Sequence, residues 1–294
     1  MKASFLLLAV LHSCQSHSQN AVKSDEMNPT EKAYWYAGDA EITSYALSQA
    51  RYGEMHEGKA VLIFVTEPFS TKSWTKADYP KSKDSPALKL NFTKEFNTGI
   101  YPYSLMTSTF YPVDGSSNSL KISSSSQEWC GHTFRELKNK AKFEVRFDSY
   151  FEGESNNISL SKDILEDDIW SIIRLHPEKL PIGKTKIIPG FQFLGLTHTE
   201  SKAYTATASS QKDAKGNTVY SLNYPALKRT LQITYASDFP REILAWTEVH
   251  ESGYGTNRRM LSTTAKKTAT LKTPYWQQNS NKDSYLRGEL GLDK

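Results

Sequence analysis

The sequence predicts a mainly β protein, a curved antiparallel sheet or half-open barrel of roughly 11–13 strands with one packed helix at about residues 163–175. Three observations carry this. Apolar and polar residues alternate with a period of two over many short runs. Turn-forming residues separate several of those runs, and aromatic residues, which suit pleated surfaces, make up 12% of the chain.

Taken in order, residues 1–13 read as a signal segment and 14–30 as a lipidated cysteine followed by a flexible polar tether. Residues 31–273 read as a single β-rich domain, and 274–294 as a C-terminal tail with a short helix near 282–290. Glu31 to Tyr36 fits either a helix or an extended segment. Val61-Leu62-Ile63-Phe64-Val65 is apolar on both faces, so this strand is expected to be central and covered on each side. Leu88-Leu90-Phe92, Leu120-Ile122, Phe143-Val145-Phe147, Tyr220-Leu222-Tyr224 and Leu231-Ile233-Tyr235 alternate with polar neighbours, as half-buried strands do. Asp114-Gly115 and Lys215-Gly216-Asn217 punctuate them as turns.

One segment changes period. Leu165, Ile169, Ile172 and Ile173 form a helical stripe; Ser161 is placed to cap it, and Pro177 to end it. Asp163, Glu166, Asp167 and Asp168 load its first half with negative charge, which complements the helix dipole. The triplet Glu166-Asp167-Asp168 is therefore expected to be a solvated first turn. Adjacent helical carboxylates point in different directions, and no calcium-loop pattern surrounds them.

The N-terminus suggests an address. Lys2 precedes the apolar run Phe5 to Leu11, which is too short for a span of about 20 residues. Leu11-His12-Ser13-Cys14 resembles the bacterial lipobox, which implies acylation of Cys14 and attachment to a membrane. The absence of Asp after the cysteine, where Gln15 stands, implies the outer membrane. An ordinary signal peptide cut after Ser18 is the alternative. The net charge of +4 is scattered, so nucleic acid is not an expected partner. Of the two cysteines only Cys130 then remains, which excludes a disulfide framework.

The sharpest candidate for chemistry is Glu128-Trp129-Cys130-Gly131-His132. In a continuous strand, residues 128, 130 and 132 share one face, joining a carboxylate, a thiol and an imidazole. A Cys–His pair can make a thiolate nucleophile, with the carboxylate orienting the ring. A structural zinc site wants four ligands, and no second close pair exists. The plainer reading makes Cys130 a small buried hydrophobe beside a hydrogen-bonded His132. His56, His176, His198 and His250 are isolated, and no phosphate-binding glycine loop or Gly-x-Ser-x-Gly elbow occurs. No cofactor is implied. Asn91-Phe92-Thr93 and Asn157-Ile158-Ser159 match glycosylation sequons that a bacterial-type signal makes incidental. Aromatic clusters at Tyr34-Trp35-Tyr36, Tyr101-Pro102-Tyr103, Phe110-Tyr111-Pro112 and Pro274-Tyr275-Trp276 fit either core packing or the lining of a ligand cleft.

The stretches Ala40 to Tyr45, Gln49 to Glu54, Lys89 to Phe92, Phe96 to Tyr103 and Ser125 to His132 resemble an uncharacterised family of exported bacterial lipoproteins, often labelled "septum formation inhibitor Maf". True Maf proteins are α/β nucleotide pyrophosphatases with a Ser-x-Ser-Pro-Arg-Arg motif, which this chain lacks, so that activity is not expected. Tyr224-Pro225, Leu231 to Tyr235 and Pro240 to Ile243 are similar to the curved sheets of LolA/LppX-like and DUF3108-type periplasmic proteins, in which an incomplete barrel wraps a helix or an acyl chain. The leading expectation is a non-enzymatic cell-envelope lipoprotein that binds an apolar or lipid-like ligand in the concave sheet, the helix acting as plug or lid. The alternatives are an envelope adaptor that presents a surface to a protein partner, and a thiol- or metal-dependent hydrolase at Glu128, Cys130 and His132.

Overall fold

The period-two alternation becomes sheet along almost its whole length. The computed structural model describes residues 27–293, so Cys14, the signal segment and most of the tether lie outside the described residues. The first half of the chain forms β1 (Ala40–Arg51), β2 (Glu54–Ser70), β3 (Thr75–Lys76), β4 (Ser85–Thr98), β5 (Tyr101–Pro112), β6 (Lys121–Glu128), β7 (Gly131–Asn139), β8 (Phe143–Ser149) and β9 (Asn156–Leu160). The second half adds β10 (Ile164–Leu165), β11 (Gly183–Ile188), β12 (Tyr204–Lys212), β13 (Thr218–Tyr224), β14 (Arg229–Tyr235), β15 (Ile243–Ser252) and β16 (Arg259–Thr273). These sixteen strands of the described residues exceed the expected number partly because β3 and β10 are only two residues long.

All join one curved, unclosed sheet in the order β10-β11-β12-β13-β14-β15-β16-β1-β2-β4-β5-β6-β7-β8-β9, with β3 on β2. Pairing is antiparallel except between β10 and β11. The first and last long strands are neighbours, with Ala40 opposite Thr273. The free edges, β9 and β10, are adjacent in sequence. The expected turns join β5 to β6 around Asp114-Gly115 and β12 to β13 around Lys215-Gly216-Asn217.

Four helices are present among the described residues: α1 (Pro29–Trp35), α2 (Glu166–Leu175), α3 (Phe191–Leu196) and α4 (Tyr285–Glu289). The expectation of a single helix missed α3, while α4 lies where the tail helix was expected. Asn28 caps α1 in a reciprocal capping box with Glu31, so ordered structure begins inside the stretch assigned to the tether.

Helix α2 fills the concavity, and all ten of its residues are buried. Ile169, Trp170, Ile172 and Ile173 enter a core with Leu62 and Phe64 of β2, Leu88 and Leu90 of β4, and Tyr220, Leu231 and Trp246 of β13 to β15. Trp170 packs edge-on against Phe92 and Trp246 at centroid separations of 5.0 and 5.4 Å. Ser161 does not cap α2: Ile164 and Leu165 pair with Ile187 and Ile188, which moves the helix start to Glu166 with no side-chain cap. Glu166, Asp167 and Asp168 are buried rather than solvated, because this turn points into the barrel.

The open seam is closed by side chains. Phe143 and Val145 of β8 share a cluster with Leu165 of β10, Ile188 of β11, and Phe191 and Leu194 of α3. On the outer face, Val61 and Ile63 pack with Ile42, Leu271 and Leu290, so the two-faced apolar strand is covered on both sides as expected.

Arg174, near the end of α2, meets Glu41 of β1 through two hydrogen bonds of 2.6 Å, with both side chains 1% exposed. Breaking a buried pair by removing one partner costs about 3–5 kcal/mol, whereas replacing both with apolar residues is often neutral. Arg174→Met is therefore expected to lower urea stability by that amount, and the double variant Glu41→Leu with Arg174→Met to recover most of it.

Candidate functional site

The interior is where the sequence places its apolar residues, yet α2 carries four ionisable side chains into it. Each meets a different part of the wall. Glu166 accepts two 2.6 Å hydrogen bonds from Arg229 of β14 and one from the Tyr224 hydroxyl, and Arg229 also donates to Glu248 of β15 at 2.6 Å. Asp167 accepts from the Phe191 amide at 3.0 Å and Asp168 from the Ser119 amide at 3.0 Å. At the other end Arg174 holds Glu41, which also accepts from the Tyr34 hydroxyl. Gly190 is required by this closeness: a Cβ there would lie 2.9 Å from the nearer Glu166 carboxylate oxygen.

The charges titrate in opposite senses. Burial pushes the Asp167 carboxyl up to about 7 against the opposing Phe191 amide, and pushes Asp168 up to about 7 against Ser119. Burial also raises Glu41 and Glu248, but in both the neighbouring cations prevail. Arg174 holds Glu41 below the usual carboxylate range, and Arg229 with Lys94 takes Glu248 to about 2. Burial pulls Lys94 below the ordinary lysine range against the attraction of Glu248. Lys94, Glu166, Arg229 and Glu248 surround a void of about 30 Å³.

The sequence-predicted triad does not assemble. Glu128 ends β6 opposite Gly131, so Trp129 and Cys130 form the two-residue loop of a hairpin rather than a continuous strand. His132 pairs with Gln127 and makes no hydrogen bond to Cys130 or Glu128 among the described residues. Cys130 is exposed, not a buried hydrophobe. Its amide donates to Glu128 at 2.6 Å, and hydrogen bonding of the thiol to the same carboxylate, with that carboxylate's charge, pushes the thiol above its ordinary pKa. A raised pKa opposes thiolate chemistry. No three His, Cys, Asp or Glu side chains among the described residues are grouped to hold a metal ion. His176 is buried with its Nε2 2.9 Å from the Val113 carbonyl, and His198 pairs with Glu154 at 2.7 Å.

Hairpin loops at one end of the sheet carry several of the exposed apolar side chains; others, Tyr79 at 88% and Ile182 at 65%, lie toward the opposite end. Ile100 of the β4–β5 turn is 85% exposed, Trp129 69% and Tyr150 of the β8–β9 loop 68%. They stand on neighbouring loops: Tyr101 lies 6.3 Å from Trp129, Tyr150 covers Gly131, and Tyr150 stands edge-on to Phe151 at 5.7 Å. A Cβ at position 131 would lie 2.4 Å from the Tyr150 ring, so glycine is needed for this contact. At the same end, the β1–β2 and β15–β16 turns and α3 enclose a recess of about 230 Å³. It holds Arg51, Tyr52, His250, Glu251 and Tyr254. The aromatic pattern named Tyr101 and Tyr103 in advance, but neither Trp129 as a loop residue nor Arg51 was anticipated. No family model matches this chain, and neither the curated proteins nor the solved structures include a significant match to it.

Two outcomes follow from the electrostatics. Between about pH 4 and 7 the folded chain keeps the Asp167 and Asp168 protons that an unfolded chain, with its ordinary value of 3.8, has released, so stability falls as pH rises through that window. Glu41 and Glu248 act oppositely, and stability is lost as pH falls from 4.5 towards 2. Asp168→Asn, which keeps an acceptor for Ser119, is expected to flatten the upper slope in urea titrations across that range. Cys130 is expected to react with iodoacetamide in the native state more slowly than a free thiol, and faster in Glu128→Gln; a rate well above that of free cysteine would contradict the geometry.

Proposed function

We propose that this protein is a non-enzymatic adaptor of the bacterial cell envelope, tethered to the membrane through lipidated Cys14 and presenting its aromatic rim to a protein partner. The exposed side chains of Ile100, Trp129, Tyr150 and Phe151 on neighbouring hairpin loops carry this reading. Clustered exposed aromatic side chains supply large contact area at low entropic cost, and Trp and Tyr dominate interface energetics. Placement supports it further. β1 begins beside α1 and ends at the rim 12 residues later, so the rim lies roughly 35–40 Å from the N-terminal end of the sheet at about 3.4 Å per residue. A tether at one end thus leaves the other free to reach outward.

The reading as a carrier of an apolar ligand in the concave sheet loses support, because α2 and its aromatic neighbours occupy that space. Membership of the exported lipoprotein family and an outer-membrane location belong to the same proposal. What supports them is the single curved antiparallel sheet with a helix in its concavity.

Site-specific photocrosslinking in intact cells tests it. A benzophenone amino acid at Trp129 of the full chain is expected to give one dominant adduct, weakened by Ile100→Ser with Tyr150→Ser. The same probe at Lys215, on the opposite end of the sheet, is expected to give none. Equal adducts from both positions, or none from position 129, would contradict the adaptor reading.

A further inference from the structure

The recess beside α3 contains a cation that the folded chain leaves without a counter-charge. Arg51, the last residue of β1, donates to the Leu196 carbonyl and to the hydroxyls of Tyr52 and Tyr103, the last two at 3.3 and 3.1 Å. All three acceptors are neutral, and its Nε has no partner. No carboxylate lies within ion-pair distance of it among the described residues. The two fully buried arginines, Arg174 and Arg229, are both matched by carboxylates. Arg135 also lacks an ion pair; its guanidinium is instead stacked 4.1 Å from the Phe147 ring centroid and donates to the Phe191 carbonyl at 3.3 Å. One acid, Glu251, does line the Arg51 recess; it faces Arg258 at 3.7 Å and Lys228 at 4.0 Å, so its charge is already opposed.

The walls are built to hold their shape. Tyr52 sits at φ 52°, a conformation bulky residues rarely adopt, between Arg51 and Gly53 at φ 82°. Gly53 and Gly253 bring the two hairpins so close that a Cβ on either would lie 2.4 or 2.5 Å from the Asn257 carbonyl oxygen. The result sets the Tyr52 and Tyr254 rings 6.2 Å apart at 37°, facing Phe193 and Leu196 across the recess. Strained backbone held by its surroundings is concentrated at binding sites. At about 230 Å³ the space is below the ~300–1,000 Å³ of drug-sized pockets.

We propose that this recess binds a small organic carboxylate with a flat apolar body, its carboxylate on the Arg51 guanidinium and its body against Tyr52 and Tyr254. With Nη2 spent on the two tyrosine hydroxyls and Nε buried, Nη1, whose one hydrogen bond is to Leu196, offers a charged donor to a carboxylate, and the tyrosine faces match a ring. The inference is independent of the rim contact, which uses other side chains.

Calorimetry on the purified full chain in detergent tests it with four probes: benzoate, benzamide, acetate and inorganic phosphate. Benzoate is expected to bind at least roughly tenfold tighter than each of the others. Arg51→Gln is expected to abolish that preference. Because this change also frees the Leu196 carbonyl, Tyr254→Ala is the second variant; Tyr254 is exposed, so an unchanged melting temperature with roughly threefold or greater loss of benzoate affinity is expected. Benzoate and benzamide binding alike would overturn the proposal, as would phosphate matching benzoate, no benzoate heat at millimolar levels, or a folded Arg51→Gln chain that binds benzoate unchanged.

Discussion

A helix that takes four ionisable side chains out of water needs a polar partner for each, and that requirement organises the whole barrel. Isolated buried charge costs several kcal/mol per ion, so Glu166 and Arg174 are tolerable only where Arg229 and Glu41 wait for them. These two residues lie eight positions apart, roughly 12 Å along the axis at about 1.5 Å per residue. Apolar packing alone is indifferent to a helix sliding by one turn. Two charge pairs at fixed separation, one on β14 and one on β1, allow a single axial position and a single rotation. Both pairs fasten α2 to one continuous stretch of the sheet, from β14 through β15 and β16 to β1, and Asp167 and Asp168 add ties to α3 and the β5–β6 loop.

Much of this architecture was legible in the sequence because strands, turns and the helical stripe are written locally. Phe143-Val145-Phe147 and Tyr220-Leu222-Tyr224 bury as their alternation requires, and the two-faced run at Val61 is covered on both sides. The acidic triplet was misread for a physical reason: the dipole rule that places acids in a first turn is blind to Arg229, more than sixty residues away. Helix α3, Phe-Gln-Phe-Leu-Gly-Leu, has neither a polar cap nor enough length to show a period. The hairpin at Trp129-Cys130 lacks the usual Asn-Gly signal, and only Gly131 marked it. Arg51 was invisible because its meaning lies in what is missing around it, and a missing carboxylate cannot be read from spacing.

The two ends of the sheet differ in what covers them. Beside the N-terminal helix, Trp35 packs on Phe64, Tyr34 packs on Phe239, and Arg241 reaches back to Glu31. The rim lacks a covering helix of that kind, and its turns carry exposed Trp129, Tyr150 and Tyr254. A filled interior and a decorated rim are separate: α2 packs the concavity, and under the proposed adaptor reading the loops carry recognition.

Placing β1 beside both β2 and β16 has a further consequence, for the order in which the molecule is made. The first long strand emerging from a ribosome finds its second neighbour only when residue 273 has been synthesised. Closing so long a loop is slow, and until then β1 presents a bare edge and α2 has no completed wall to enter. Such a chain stays open for the whole of its translation, so its hydrogen-bonded ends meet last and its native state is reached all at once.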